Sequence, residues 1–341
     1  MIRKAMIFLA GAFAAAAMSL TACSSTSTGE TAADRAAREA RLEALREAQE
    51  MQKSVWESDL ACESRFQMNI NPTPAEERIA RQSARTVVRN LSNSRFFVHY
   101  LLARLKENNM PIELAAIPLV ESGLNPNVRA NGGAHGAWQY KRQTGASVGL
   151  SSSGNFDEIY DFVESTDASI RYLGKLYRDL GDWDLVAAAY NQGEYGIKRA
   201  VDAALSRGVS RPDASNVRIS RGARAYIQRL HAYADILHNP SKYGVALPDV
   251  KNRPAFRKVE VAGRISSMSE AAALSGVDLS TLKKLNNGYR SDKLGSSASR
   301  GLYVPVEHAS KLEHVLGSYS SESVTGNYLK DAQGQNARES M

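Results

Sequence analysis

Residues 111–145 read PIELAAIPLVESGLNPNVRANGGAHGAWQYKRQTG, and the rest of the chain is organised around them. Pro111 suits the first position of a helix, where its missing N–H costs nothing, and Glu113 favours the positive N-terminal end. Leu114, Ala115, Ala116, Ile117, Leu119 and Val120 are apolar nearly all round, so a buried helix is predicted. Glu121 stands where this apolar surface gives out, followed by Ser122-Gly123 and a Gly-rich loop. A carboxyl group pressed against apolar packing is pushed toward its protonated form, as a general acid near neutral pH requires. The residues alone leave a second reading open, in which Glu121 only ends the helix at the surface.

Outward from this stretch the apolar spacing is helical, from Glu76 almost to Pro240. Phe97, Leu101, Leu102 and Leu105 form one stripe, closed by Asn108-Asn109. Ile170, Leu173, Leu176, Tyr177 and Leu180 form another, stopped by Gly181. Asp182 can cap the helix that holds Leu185 to Tyr190, with Gly193 beyond its end. A last stripe runs through Tyr226, Ile227, Leu230, Tyr233 and Leu237. No alternation of strands and helices is visible, so residues 56–250 are expected to form an all-helical domain.

Asn252 to Pro254 makes a turn-rich linker into a smaller unit, residues 255–316. Val259-Glu260-Val261 reads as a strand, Ser269–Leu274 and Leu279–Leu285 as helices, and Leu302–Pro305 as a closing strand. Because the helical stripes end at Leu237, the smaller unit is expected to be removable without unfolding the larger one.

The chain ends read differently. Residues 1–22 form an export signal, with Arg3 and Lys4 before an Ala-rich apolar segment too short for a confident spanning helix. The segment ends in Leu20-Thr21-Ala22-Cys23, a lipobox pattern in which Cys23 takes the lipid. Residues 23–55 then form a tether and a polar spacer helix, since Asp34 to Lys53 is Ala, Arg and Glu with a thin stripe at Leu42, Leu45 and Met51. Residues 317–341 are polar and expected to be disordered. With Cys23 lipidated, Cys62 has no partner for a disulfide and reads as a buried structural thiol. The net charge of +7 suits a polyanionic partner without choosing among them. No basic run interleaved with aromatics or zinc-ligand spacing appears, which argues against nucleic acid, and the six histidines show no ligand spacing, so no metal or cofactor is expected.

Glu121-Ser122, Asn125-Pro126, Gly133-Ala134, Gly136, Trp138-Gln139 and Thr144-Gly145 resemble the first motifs of lytic transglycosylases with a goose-lysozyme-like domain. Ala189-Tyr190-Asn191-Gln192-Gly193 matches that family's second motif, and the likeness runs from about Trp56 to Leu316. The smaller unit resembles a LysM glycan-binding module through Leu282, Leu285 and Asn286-Asn287, although Ala262-Gly263-Arg264-Ile265-Ser266 stands where the usual opening would be. The resemblance implies a mainly α fold: a lysozyme-like helical catalytic domain followed by a small α+β (βααβ, LysM-like) module.

It also implies Glu121 as the catalytic acid/base, and Ser122, Gln139, Tyr190 and Asn191 as substrate-binding residues. Trp138 reads as core. The implied partners are peptidoglycan glycan strands and, through lipid on Cys23, the outer membrane of a Gram-negative bacterium facing the periplasm; no protein partner is specified. The implied reaction splits the β-1,4 bond between N-acetylmuramic acid and N-acetylglucosamine and leaves a 1,6-anhydro end. Three positions depart from the family pattern: Ala130 where a serine is usual, Lys141-Arg142 where Met-Pro follows the Trp-Gln pair, and Gly222-Ala223 where many members have Glu-Thr. They keep open a wall-binding lipoprotein without turnover. Asp157, Asp161 and Glu164 keep open a water-using, lysozyme-type hydrolase, and the Asp34–Lys53 helix an assembly lipoprotein.

Overall fold

A computed structural model describes residues 31–317, so the export signal, Cys23 and the tail beyond residue 317 lie outside the described residues. Helix α1 (Ala32–Glu50) buries none of its residues. Its formation follows from Ala, Arg, Glu and Leu propensity without packing, as a spacer requires. No helix among the described residues is long and apolar enough to cross a membrane.

The folded body begins near Ala48. Helix α2 (Pro74–Asn93) starts with a capping box, in which Thr73 and Glu76 satisfy each other's backbone N–H and Pro74 occupies the first turn. Helix α3 (Arg95–Glu107) follows, then a tight helical turn (Ile112–Ala115) that feeds α4 (Ala116–Ser122). A single helix from Pro111 was the expectation; the structure splits it. Pro118 lacks an N–H and its ring crowds the carbonyl of Leu114, so regular hydrogen bonding starts afresh just before it. Two short hairpins come next: β1 (Ala134–His135) with β2 (Tyr140–Lys141), and, after α5 (Arg142–Ser147), β3 (Ser152–Ser153) with β4 (Phe156–Asp157). Helices α6 (Phe162–Leu180), α7 (Trp183–Gln192), α8 (Glu194–Ser206) and α9 (Arg221–His238) complete the domain.

Helix α9 lies at the centre and packs against α2, α4 and α7. Tyr226, Ile227, Leu230, Ala234 and Leu237 supply its buried face. His231 pins the three helices by a polar route, its Nδ1 3.0 Å from Glu76 Oε1 on α2 and its Nε2 2.7 Å from Asp184 Oδ1 on α7. Carboxylates only accept hydrogen bonds, so both ring nitrogens are donors and the imidazole is charged. Burial opposes that charge, yet the Asp184 and Glu76 carboxylates outweigh it and raise the His231 pKa.

The smaller unit contains β5 (Phe256–Val259), α10 (Met268–Ser275), α11 (Leu279–Leu285) and β6 (Leu302–Pro305), and residues 306–317 form a closing helix the sequence reading did not assign. Strands β5 and β6 pair antiparallel from Phe256↔Pro305 to Val259↔Leu302. The first strand therefore lies earlier than Val259–Val261; Phe256 and Val259, three apart and so on opposite faces, are both buried, Phe256 in the core of the helical domain and Val259 in that of the smaller unit.

The two units interlock. Phe256 and Leu285 belong to the core of the helical domain, while Phe156 of that domain belongs to the core of the smaller unit. The Phe256 ring lies 6.2 Å from Phe97, 6.0 Å from Tyr100 and 5.3 Å from Tyr303. Asp157 N donates to Gly288 O at 2.8 Å and Arg290 N to Asn155 O at 2.9 Å. A side chain at Gly288 would begin 2.4 Å from the Phe156 ring, so only glycine allows this approach. The packing argues against the expectation that the smaller unit can be removed freely. Cys62 also differs from its reading: it is exposed, at the cap of a short surface turn, with its sulfur 3.3 Å from Ser64 Oγ.

Two outcomes follow from this packing. Phe256→Ala should cost the helical domain about 3 kcal/mol, the usual range for a buried phenylalanine, read as a lower urea midpoint. His231→Ala should cost about 2 kcal/mol at pH 6. Because the native pKa of His231 is raised, its contribution is complete below the unfolded value near 6.5 and is lost as pH rises through the native one. The gap between the two proteins should therefore narrow on going alkaline; a gap constant with pH would show that the charge is not what holds the helices.

Candidate active site

Glu121 sits in the last turn of α4, whose Ala116, Ile117, Pro118 and Leu119 are buried. Gly123 closes the helix in the left-handed region at φ 67°. The carboxyl is thus delivered half-buried, at the end of an apolar element, with phenols around it. Tyr140 comes from β2, Tyr190 from the end of α7 and Tyr226 from α9. Tyr190 Oη donates to Trp138 O at 2.6 Å, and Tyr140 Oη pairs with Ser169 Oγ at 2.8 Å. The Tyr140 and Tyr190 rings lie 5.9 Å apart.

Burial pushes the Glu121 pKa up, and the Tyr226 hydroxyl and the Arg229 charge hold part of that rise back. Burial, with the nearby Glu121 charge, likewise pushes the Tyr190 and Tyr226 phenols well above their usual value. Tyr226 Oη is buried and makes no hydrogen bond of normal geometry, so its approach to Glu121 is close without being a formed bond. None of the groups acting on Glu121 is a carboxylate.

The loop that returns past Glu121 is held by backbone contacts. Ser122 Oγ donates to Ala137 O at 2.7 Å and accepts from Asn125 N at 3.1 Å, which ties the helix end to the Trp138-Gln139 segment. A Cβ at Gly136 would fall 2.0 Å from Ile159 O, so this crossing also requires glycine. Beside it, His135 Nδ1 lies 2.8 Å from Tyr160 Oη. Trp138 is fully buried and donates to Thr166 Oγ1 at 3.0 Å, as a core residue. Gln139 adopts φ 52°, unusual outside glycine, and its Nε2 donates to Gly136 O at 2.8 Å.

Of the residues read from the sequence, Tyr190 comes near enough to Glu121 to feel its charge. The Ser122 hydroxyl and the Gln139 amide nitrogen are engaged with backbone. Asn191 is exposed at the end of α7, and its neighbour Gln192 accepts from Ser220 N at 3.2 Å. Tyr140, Tyr226, Arg229 and the His135–Tyr160 pair were missed as site residues. Tyr226 lies on the apolar stripe of α9 and reads there as plain core; nothing in its spacing separates it from Leu230.

The three departures have distinct settings. Ala130 closes a turn, accepting from Gly133 N at 3.0 Å. Gly222 is exposed at the start of α9, where a Cβ would meet only Ser220 Oγ at 3.8 Å. Arg142 pairs with Asp157 Oδ2 at 2.6 Å and so braces the second hairpin. That pairing occupies Asp157, whose other oxygen accepts from Ile159 N. Asp161 caps α6 through Glu164 N at 2.9 Å, and burial pushes its pKa up to about 7. It feels Glu164 and Lys258 rather than Glu121. Among the described residues no group of His, Cys, Asp or Glu is placed to hold a metal ion.

With this geometry in place, the likeness to known proteins can be located on it. Residues 101–209 match the transglycosylase SLT domain, and residues 255–321 the LysM-like domain of lytic transglycosylase MltD. The chain is 32% identical over 243 residues to membrane-bound lytic murein transglycosylase D of Escherichia coli strain K12, covering 71% of this chain and 53% of that protein. The same figures hold for the protein of that name from E. coli O6:H1. The chain thus spans about half the length of the curated relatives it matches. The mainly helical, lysozyme-like domain and the small βααβ module agree with the expected fold class.

The groups around Glu121 give a titration with a defined sign. Tyr226→Phe and Arg229→Ala each remove something that favours the carboxylate, so each should raise the Glu121 pKa further. The carboxyl carbon shift of labelled protein reads this directly, and the Arg229 effect, being that of an exposed charge, should shrink in high salt. A fall in either variant would contradict the arrangement.

Proposed function

We propose that this chain, which contains an SLT domain and an MltD-type LysM-like domain, is a peptidoglycan lytic transglycosylase. The observation that carries the reading is the solitary carboxyl: Glu121 is raised by burial, and no second carboxylate acts on it. A raised pKa keeps the acid form available to protonate the leaving glycosidic oxygen as the muramyl ring becomes oxocarbenium-like. The resulting carboxylate then accepts the proton of the muramyl C6 hydroxyl, whose oxygen attacks C1 and closes a 1,6-anhydro ring. Ordinary glycosidases divide these duties between two carboxyl groups. The intramolecular route needs one, because the C6 hydroxyl is already attached and near its target. Asp157 is committed to Arg142 and Asp161 to the α6 cap, and none of Asp157, Asp161 and Glu164 is among the groups acting on Glu121, which disfavours the water-using alternative.

In this reading Tyr190, Asn191 and Gln139 face the glycan, Tyr190 through its ring edge and Gln139 through the amide oxygen left by its bond to Gly136. Ser122 orients the loop. The Ala130 and Gly222 departures each remove at most one hydrogen bond, about 0.5–1.5 kcal/mol, and leave the acid/base untouched. Lipid on Cys23 would tether the enzyme to the outer membrane, with α1 as the spacer on the periplasmic side.

Glu121→Gln removes a carboxyl that the fold holds at a cost when ionised. With a raised native pKa, that cost is absent at low pH and grows as pH rises through it. The variant should therefore be more stable than wild type at pH 7 by about 1 kcal/mol while losing cleavage of purified sacculi. Mass spectrometry of wild-type products should show anhydro ends, each lighter by one water than the reducing-end product of a hydrolase. Reducing ends would transfer the assignment to hydrolysis, and binding without any soluble product would remove the enzyme reading.

A further inference from the structure

Between the loop that leaves Glu121 and the LysM-like module lies a cleft of about 300 Å³. Asn127 of the loop forms one side, and Met268, Lys283, Tyr289, Arg290 and Asp292 of the module the other. Its cations are unevenly neutralised. Lys283 has Asp292 at 3.7 Å, whereas Arg290 is in no ion pair among the described residues. The Arg290 guanidinium lies 3.8 Å from the centre of the Tyr160 ring, and its Nη1 donates to Asn287 O at 3.0 Å. Stacking and one backbone bond fix the plane of the fork and leave its remaining N–H groups unused.

Other cations lie nearby. Arg142, itself paired with Asp157, approaches the same Tyr160 ring at 5.7 Å, and Arg129, in no ion pair among the described residues, lies on the loop. Burial first, then the charges of Arg142, Arg129 and Arg290, push the His135 pKa down against the opposing Asp157 carboxylate. Tyr289 is no platform for a sugar: its ring is buried edge-on to Phe156, and its hydroxyl lies 2.8 Å from both Ser297 O and Gly301 O, sharing its one proton between them. A planar, unpaired guanidinium in a cleft without a free aromatic face suits a carboxylate, which it can hold by two parallel hydrogen bonds.

We infer that this junction cleft binds a free carboxylate of the peptide stem attached to the muramyl residue, with Arg290 as the principal contact. The inference rests on the peptidoglycan reading above, since that polymer places carboxylate-bearing peptides beside the glycan that Glu121 would cleave. The cleft belongs to neither domain alone, so stem recognition would require the module to be docked as it is.

The test uses the full chain made inactive by Glu121→Gln, titrated calorimetrically with a stem-bearing muropeptide and with a stem-free glycan of the same sugar length. Adding Arg290→Ala should weaken the muropeptide about tenfold and leave the stem-free glycan unchanged, as loss of one charged bidentate contact implies. Arg290→Lys, which keeps the charge without the fork, should recover only part of the loss. Unaltered muropeptide binding in Arg290→Ala would overturn the site. So would equal weakening of both ligands, which would make Arg290 a support for the cleft wall. The catalytic reading fails separately, if active-site wild type cleaves neither strand type while Arg290-dependent binding persists; that outcome still supports the cleft.

Discussion

A carboxyl group can serve as an acid near neutral pH only if something keeps water from stabilising its charge. Here the end of an apolar helix does so, and much of the domain exists to hold that end still. Helix α4 is too short to stand alone, and the tight turn before it together with α9 encloses its apolar residues. Burial raises the acid, and phenols close much of the space around it without supplying a competing base, the Tyr226 hydroxyl holding back part of the rise. Arg229 on the exposed side of α9 limits the effect, so the group stays titratable.

Holding one wall of the site draws in the second domain. The segment from Asn155 to Asp161 touches the site loop through Ile159 at Gly136 and Tyr160 at His135. On its other side it is gripped by Gly288 and Arg290. Two crossings that admit only glycine therefore stand in series between the module and the loop beside Glu121. The Gly136 crossing is stiff because it meets the backbone carbonyl of Ile159, and the Gly288 crossing meets the Phe156 ring, which is itself packed in the core of the module. A module that sequence resemblance presents as an appendage is, by its packing, part of the scaffold.

The departures from the family pattern read differently once their neighbours are known. Arg142 gives the hairpin a brace through Asp157 and shares the Tyr160 ring with Arg290. Gly222 faces open space, so nothing in the fold compensates for a missing side chain there. The same neighbours show why some residues could be read in advance and others could not. Helix ends at Gly181, Asp182 and Gly193 were legible because capping chemistry is local to a few residues. The strand at Phe256 was misplaced because it is buried on both faces, by a partner strand and a second core that lie far along the chain. Cys62 was misjudged because thiols are usually buried, and only the fold reveals a surface turn.

By itself the sequence determined the helical class, the short βααβ module and the place of Glu121 at the end of an apolar run. Those follow from periodicity, caps and turns, which act over a few residues, and from motifs that keep fixed spacing. The tertiary structure decided which phenols surround Glu121, that Ser122 is spent on the loop, and that the two domains share their cores. Tyr226 and Tyr190 lie far from Glu121 in the chain, and Phe256 far from Phe97. Contacts of that kind depend on how whole helices pack, and no local pattern in the residues records them.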